Sequence, residues 1–309
     1  MSVMRDALLW ASKNETLKTH VPRWGFVQRA LRQFMPGERL DDALETAVTL
    51  AGRGVTSIFT KLGENLTEVA QADEVVEHYL DAYDRIAAQE LDTEISVKPT
   101  QLGLDLDFEH AARSLEALAA KAEAVGNWLW VDMESSEYVE PTLELYKRAK
   151  AKHFPVGICL QAYLHRTPQD IADLMPLQPG IRLVKGAYKE SPAIAFTKRS
   201  DIDEAFFRTG AELLTATADG VKLGFGTHDV NLLDRLEVAA KAAGIGKDAY
   251  EIQMLYGIRM EDQYRYAANG YRMRDLTAYG EQWYPWYVRR LAERPANLTF
   301  VARNLFARS

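Results

Sequence analysis

A chain of 309 residues, 47% hydrophobic and 26% charged, is long enough for one large α/β barrel or two modest domains, and a core of that size needs no staples. The formal net charge of −7, from 37 basic and 44 acidic residues, leaves no electrostatic footprint for nucleic acid, and the single cysteine, Cys159, excludes a disulfide framework or a thiolate metal cluster. The start, MSVMRDALLWASKNETLK, lacks a secretory h-region, and no run of about 18 apolar residues exists to span a bilayer. The expectation is therefore a cytoplasmic protein, with peripheral contact at the inner face of a membrane left open.

Residues 1–52 read as a helical arm, with one helix over Arg23 to Phe34 and another over Arg39 to Ala51. Residues 53–309 read as one domain in which short β-rich runs alternate with helical ones. The runs are Val55 to Gly63, Glu94 to Thr100, Trp128 to Glu134, Pro155 to Tyr163, Ile181 to Tyr188, Val221 to Asp229, Tyr250 to Gly257 and Tyr271 to Leu276. Helices are expected after them over Thr67 to Gln89, Asp107 to Val125, Glu137 to Lys152, a start at Thr167-Pro168-Gln169-Asp170, Asp203 to Thr217, Asn231 to Ala243 and Met260 to Asn269. At Thr167 the threonine reads as the cap, with proline in the first turn and an acid three positions on. Eight such units in about 250 residues predict a parallel (βα)8 barrel. The rival, a doubly wound open sheet, would usually show G-x-G-x-x-G after an early strand. Here Gly224-Phe225-Gly226 follows the sixth run and has Asp229 in place of the third glycine.

In a barrel the active site lies at the carboxyl ends of the strands. The polar residues there are Lys61 and Glu64, Lys98, Asp132 and Glu134, Gln161, Lys185 and Tyr188, Thr227, His228 and Asp229, then Gln253 and Tyr256. Lys98 and Lys185 are flanked by apolar residues, so each is either a snorkelling lysine at a strand end or a cation aimed at a ligand. With Arg182, Arg289 and Arg290 they fit an anion-rich ligand set, such as cofactor phosphates plus a substrate carboxylate. Gly186-Ala187 lets backbone approach such a ligand closely. His228 alone is better read as a buried structural histidine. Asp132, Glu134, His228 and Asp229 make a metal the rival chemistry. The H-x-H pair of barrel metallohydrolases is missing, however, and no metal is expected. No G-x-S-x-G elbow supports serine hydrolysis.

The segment YGEQWYPWYVRRLAE, Tyr279 to Glu293, places aromatics before Arg289-Arg290. On a helix Glu293 neighbours both arginines, at i,i+3 and i,i+4. Adjacent helical residues point about 100° apart, so the two guanidinium groups can serve two anions. The bland alternative is a surface ion pair.

The ordered set SVKPTQLGLDL (Ser96 to Leu106), VDMES (Val131 to Ser135), CLQAYLHRT (Cys159 to Thr167), RLVKGAYKE (Arg182 to Glu190), THD (Thr227 to Asp229), QMLYG (Gln253 to Gly257) and YGEQWYPWYVRRLAERP (Tyr279 to Pro295) resembles the proline dehydrogenase flavoenzymes, of the compact single-function bacterial type. The resemblance implies a (βα)8 barrel whose last helix caps the mouth, non-covalent FAD, and oxidation of L-proline to 1-pyrroline-5-carboxylate by hydride transfer to flavin N5. It further implies electrons passed to a quinone and product handed to a separate pyrroline-5-carboxylate dehydrogenase. Lys98, Arg289 and Arg290 match the grips on the substrate carboxylate, Asp132 the aspartate beside flavin and substrate, and Leu255 a side chain packing on the ring. Gln161, Arg182, Lys185, Gly186, Ala187, Tyr188, Thr227, His228, Gln253, Arg290 and Glu293 match cofactor-contacting positions, and Glu64 the glutamate that gates the site by pairing with the first arginine.

Two positions depart from the family pattern. Leu276 stands where VYxPYG carries its first tyrosine, and Trp286 stands where a tyrosine usually precedes the first arginine by three. Both would border the substrate ring. Such apolar swaps change discrimination by about 1–3 kcal/mol. Proline thus stays in play beside hydroxyproline or another cyclic analogue, and so does a flavin-binding protein without proline activity.

Overall fold

The computed structural model describes residues 33–63, 66–284 and 288. A helix, α1 (Leu40–Ala51), precedes β1 (Thr56–Lys61), α2 (Val69–Ala88), β2 (Thr93–Val97), α3 (Phe108–Ala124), β3 (Leu129–Val131), α4 (Val139–Lys150), β4 (Val156–Gln161) and α5 (Thr167–Leu174). Then follow β5 (Gly180–Val184), α6 (Arg199–Ala216), β6 (Lys222–Gly226), α7 (Val230–Ala242), β7 (Tyr250–Leu255), α8 (Met260–Ala268) and β8 (Arg272–Tyr279). The strands pair in parallel in chain order and β8 returns to β1, which closes the expected barrel.

Boundaries move by a few residues from those expected, for local reasons. Pro99 has no N–H to give a ladder and opens a 3-10 turn, Pro99–Leu102, so β2 stops short of Lys98. Thr167 is the first residue of α5 rather than its cap; its hydroxyl donates to the Gln161 carbonyl at 2.5 Å instead. Gln33 and Phe34, the end of the first expected helix, lie in a turn, and residues 23–32 lie outside the described residues. The expected mouth-capping helix lies outside them as well, apart from its first turn.

Every strand is buried because helices cover the wall outside and side chains fill it inside. The stripe Leu40, Ala43, Leu44, Ala47 and Leu50, at helical spacing on α1, joins the same core, packing over β1 and β8. Residues 33–38, ahead of α1, pass the carboxyl ends of β7 and β8. Gln33 packs on Gly257 just after β7, where φ is +75° and a Cβ would fall 1.5 Å from the Gln33 carbonyl oxygen. Trp283, buried just after β8, donates Nε1–H to Glu38 at 2.9 Å. None of the described helices is long and apolar enough to cross a membrane.

The amino-terminal half of the barrel interior is filled by charge. Arg274 grips Glu251 as a fork, with Nε and Nη2 each 3.1 Å from a carboxylate oxygen, and reaches Asp92 at 2.9 Å. Lys222 pairs with Glu94, which also accepts from Trp130 Nε1 at 2.6 Å, and sits 4.8 Å from the Trp128 ring centre. Burial alone would raise the Glu251 carboxyl; Arg274 and Lys222 overcome it and hold it well below the usual carboxylate range. Its stabilising contribution is therefore present above the unfolded value near 4.5 and disappears as pH falls through the folded one. Arg274→Met leaves two buried carboxylates short of a partner, and is expected to lose about 3–5 kcal/mol, read as a lower urea midpoint. An unchanged midpoint would mean that Lys222 alone satisfies both.

Candidate active site

The site is assembled at the carboxyl ends of the strands from the residues that continue the inward-facing alternation. Asp132 follows β3, its N–H donating to the Val97 carbonyl at 2.8 Å. Its carboxylate accepts from Ser96 Oγ at 2.9 Å and pairs with Arg182 Nη2, which also donates to Ser96 Oγ at 2.7 Å. Arg182 lies under this cluster, 2% exposed and 5.2 Å above the Trp130 ring, and its second terminal nitrogen, Nη1, is buried without a partner. Sequence reasoning passed over Ser96. The available signal was its place two residues before Lys98, on the same face of the strand.

Lys98 is set by the turn that follows it. Its N–H donates to Gln101 Oε1 at 3.2 Å, and Gln101 Nε2 donates to the carbonyls of Lys61 and Gly63, each at 2.7 Å. Gln101 thus ties the lysine to the loop after β1 that leads toward Glu64. Tyr79, from α2, adds a second tie, accepting from the Lys61 N–H at 2.8 Å and donating to the Ser96 carbonyl at 3.3 Å. Neither Gln101 nor Tyr79 stood out in the sequence.

On the next strands Glu134 accepts from Thr100 N and Oγ1 at 3.1 and 2.9 Å, and Gln161 Nε2 donates to the Glu134 carbonyl at 2.9 Å. Lys185 does reach the mouth, but its charge is met by Asp203 and, at 2.8 Å, by Asp229. The surplus of positive charge expected there is smaller by that much. Burial would raise the Asp229 carboxyl, and Lys185 beside it holds it below the ordinary value. Asp132, Glu134 and Asp229 therefore each have a partner of their own, and among the described residues no three His, Cys, Asp or Glu side chains gather as a metal-binding set.

Gly186 has φ +117°, and a Cβ there would lie 2.2 Å from the Tyr163 ring. Gly186→Ala is expected to push the backbone of residues 186–188 off the mouth and lower the fraction of cofactor retained on purification, measured by flavin absorbance per chain. Full retention would show that this backbone makes no cofactor contact. Ala187 and Tyr188 are exposed beyond it.

From β6 and β7 come Thr227, His228 and Gln253. His228 is tied to the backbone, as a structural histidine would be: its Nε2 accepts the Leu255 N–H at 3.0 Å, so the ring proton of the neutral form is on Nδ1. Gln253 Nε2 donates to Glu251 at 2.9 Å, and its Oε1 is buried without a partner. Leu255 and Leu276 are neighbours in register on β7 and β8, with Ile58 next on β1, so they form an apolar lip across the mouth from the polar cluster. Glu64, Trp286, Arg289, Arg290 and Glu293 lie outside the described residues.

The family model for proline dehydrogenase matches residues 43–303. The chain belongs to the proline dehydrogenase family. It is 36% identical to proline dehydrogenase 2 of Bacillus subtilis subsp. natto over 305 residues, covering 99% of both chains. Against the proline dehydrogenase of Deinococcus radiodurans it is 34% identical, covering 91% of this chain and 90% of the relative. The crystal structure of proline utilization A from Bdellovibrio bacteriovorus shares the fold, with a TM-score of 0.82 at 21% identity over 99% of this chain and 38% of that one. The protein is accordingly an oxidoreductase of the proline dehydrogenase family, built on the barrel that the alternation of its elements predicts.

Proposed function

We propose that this enzyme oxidises L-proline to 1-pyrroline-5-carboxylate with FAD held non-covalently at the barrel mouth. The carrying observation is the Ser96–Asp132–Arg182 cluster with a buried guanidinium nitrogen still to be satisfied, together with the equally unpartnered Gln253 oxygen on β7. A buried donor and a buried acceptor at one mouth fit a planar heterocycle that presents both hydrogen-bonding types at its edge. Gln161, Arg182, Lys185, Gly186, Ala187, Tyr188, Thr227, His228, Gln253, Arg290 and Glu293 are the residues that would hold the cofactor. When bound, FAD supplies the two-electron acceptor for the hydride leaving the ring carbon next to nitrogen.

The chain's own work is orientation. Lys98, Arg289 and Arg290 clamp the substrate carboxylate, Asp132 stands beside the reacting centre, and Leu255 with Leu276 and Trp286 presses on the ring. Clustered cations also disfavour the ammonium form of the substrate, which must lose its proton for the imine to form. Glu64 closes the site by pairing with Arg289. Electrons then go to a quinone, at a membrane surface that the protein touches peripherally, and the product goes to a separate pyrroline-5-carboxylate dehydrogenase.

Purified protein should be yellow and should bleach on anaerobic titration with L-proline. A colourless protein that cannot be reloaded with FAD would sink the proposal. The leucine lip favours one second reading, a cyclic analogue such as hydroxyproline as the preferred substrate. Bleaching by an analogue well ahead of proline in a panel would establish it, and a yellow protein bleached by none would be a flavin binder without this activity.

A further inference from the structure

Three buried side-chain oxygens without a hydrogen-bonding partner cluster on the outer face of the barrel wall, around β8. They are Asp275 Oδ2, Gln263 Oε1 on α8 and Ser57 Oγ on β1. Asp275 and Ser57 are in register across the β8–β1 ladder, so their side chains leave the same face. The Gln263 side chain is within hydrogen-bonding range of the Asp275 carboxyl. Asp275 and Gln263 are fully buried.

The orientation of the Gln263 amide is decided by its nitrogen, which donates to the carbonyls of Leu255 and Ile258, each at 3.1 Å. Its oxygen is left as a buried acceptor with no donor. Asp275 Oδ1 already accepts from Thr277 Oγ1 at 2.7 Å. Were the carboxyl ionised, Oδ2 and Gln263 Oε1 would both be buried acceptors with no hydrogen to satisfy either. A proton on Oδ2 satisfies both.

Among the described residues no charged group acts on the Asp275 carboxyl to favour the ionised form; Arg53, just after α1, lies over the Tyr264 ring at 5.1 Å. From β7 the in-register neighbour is Met254, followed by the Tyr256 phenol, which is pushed up first by its own burial and then by Asp275. From α8 come Tyr264, beside Tyr256, and the exposed pair Arg259–Asp262 at 2.7 Å, which satisfy each other. From β1 comes Ser57, and the face of α1 turned to the core is the apolar stripe Leu40 to Leu50. Burial raises the Asp275 carboxyl to about 7, and the hydrogen bond from Thr277 together with the nearby Gln263 amide only partly offsets it.

We propose that Asp275 is a positioning residue, carried as a neutral carboxylic acid that donates its Oδ2 proton to Gln263 Oε1 and so fixes the two leucines of the substrate pocket. Gln263 holds the Leu255 carbonyl, and Asp275 immediately precedes Leu276, whose own carbonyl accepts the Tyr256 N–H at 3.1 Å. One buried hydrogen bond thus locks the tips of β7 and β8 to α8 behind the lip. The inference rests on the reading that Leu255 and Leu276 border the substrate ring. It also accounts for a local feature of the sequence: in RDLTAYG the acid stands where the VYxPYG pattern has valine, next to the leucine that replaces tyrosine.

The test compares wild type, Asp275→Asn and Asp275→Leu as flavin-loaded protein. A folded-state pKa above the unfolded value gives stability that is complete below the unfolded value near 3.8 and is lost as pH rises through about 7. The thermal midpoint of wild type should therefore fall relative to Asp275→Asn between about pH 4 and 7, and the gap should level off above that. A protonated-carboxyl C=O band should appear in the infrared at the acid end of the range and be missing from Asp275→Asn. The asparagine keeps a donor to Gln263, so its KM for L-proline should stay within about twofold of acidic wild type. Asp275→Leu should raise KM about tenfold with kcat and flavin content little changed, and the ratio of wild-type to Asp275→Asn KM should climb as pH passes through about 7. A midpoint difference independent of pH, or no protonated-carboxyl band, overturns the neutral acid. A pH-dependent midpoint with a flat KM ratio overturns the positioning role. A protein that L-proline does not reduce overturns the functional reading instead, and the midpoint and infrared results still decide the state of the acid.

Discussion

Asp132→Ala is expected to be the most damaging single change at the mouth, lowering stability by about 3–5 kcal/mol because it leaves the Arg182 guanidinium buried without a carboxylate, with Ser96 and the weakly polar Cys159 sulfur beside it. Arg182 has a side-chain exposure of only 3%, so its charge depends on protein partners rather than on bulk water. Turnover should fall as well, by on the order of 100-fold, since Arg182 would no longer be held in one orientation and a displacement of about 1 Å near the reacting atoms costs that much. Asp132→Asn separates the two effects. It keeps an acceptor for Ser96 and Arg182 but removes the charge, so most of the stability should return while turnover stays low. The measurements are a urea midpoint and the rate of anaerobic bleaching by L-proline. If Asp132→Ala unfolds at the wild-type midpoint, the buried pair is not what holds Arg182.

Arg289→Met addresses the substrate clamp. A charged hydrogen bond to a carboxylate contributes about 1.5–3 kcal/mol, so kcat/KM for L-proline should fall roughly 10- to 100-fold while the visible spectrum of the bound flavin is unchanged. The loss should appear mainly in KM, because Lys98 and Arg290 still place the ring. Wild-type turnover at low substrate would mean that the RRxxE pair is a surface ion pair after all. Loss of flavin together with activity would move Arg289 from the substrate to the cofactor.

The interior ion pairs and the mouth differ in how much of them could be read from sequence. Lys98, Asp132, Gln161 and Gln253 stand out as candidates in the sequence because a strand followed by a helix defines one end of each strand, and polar residues at that end have few structural excuses. Their partners were not legible. Ser96 and Gln101 are ordinary residues in strand and turn, and only the register of β2 against β3 and the closeness of the loop after β1 give them a role. Lys185 looked like a free cation because Asp203 and Asp229, which meet it, come from an adjoining helix and the next strand's loop. Asp275 carries no signal of its own in the sequence; closure of β8 onto β1 turns it into a buried acid.

By itself, the sequence determined the architecture and the family. Both are carried by local patterns: apolar runs of strand length alternating with amphipathic helical ones, and short motifs kept in order along the chain. The tertiary structure decided which charges are free and which are spent. Pairing energy depends on distances between side chains brought together from strands far apart in the chain, such as Glu94 with Lys222, and on the low dielectric that closing the barrel creates around them. Those quantities exist only once the eighth strand has met the first.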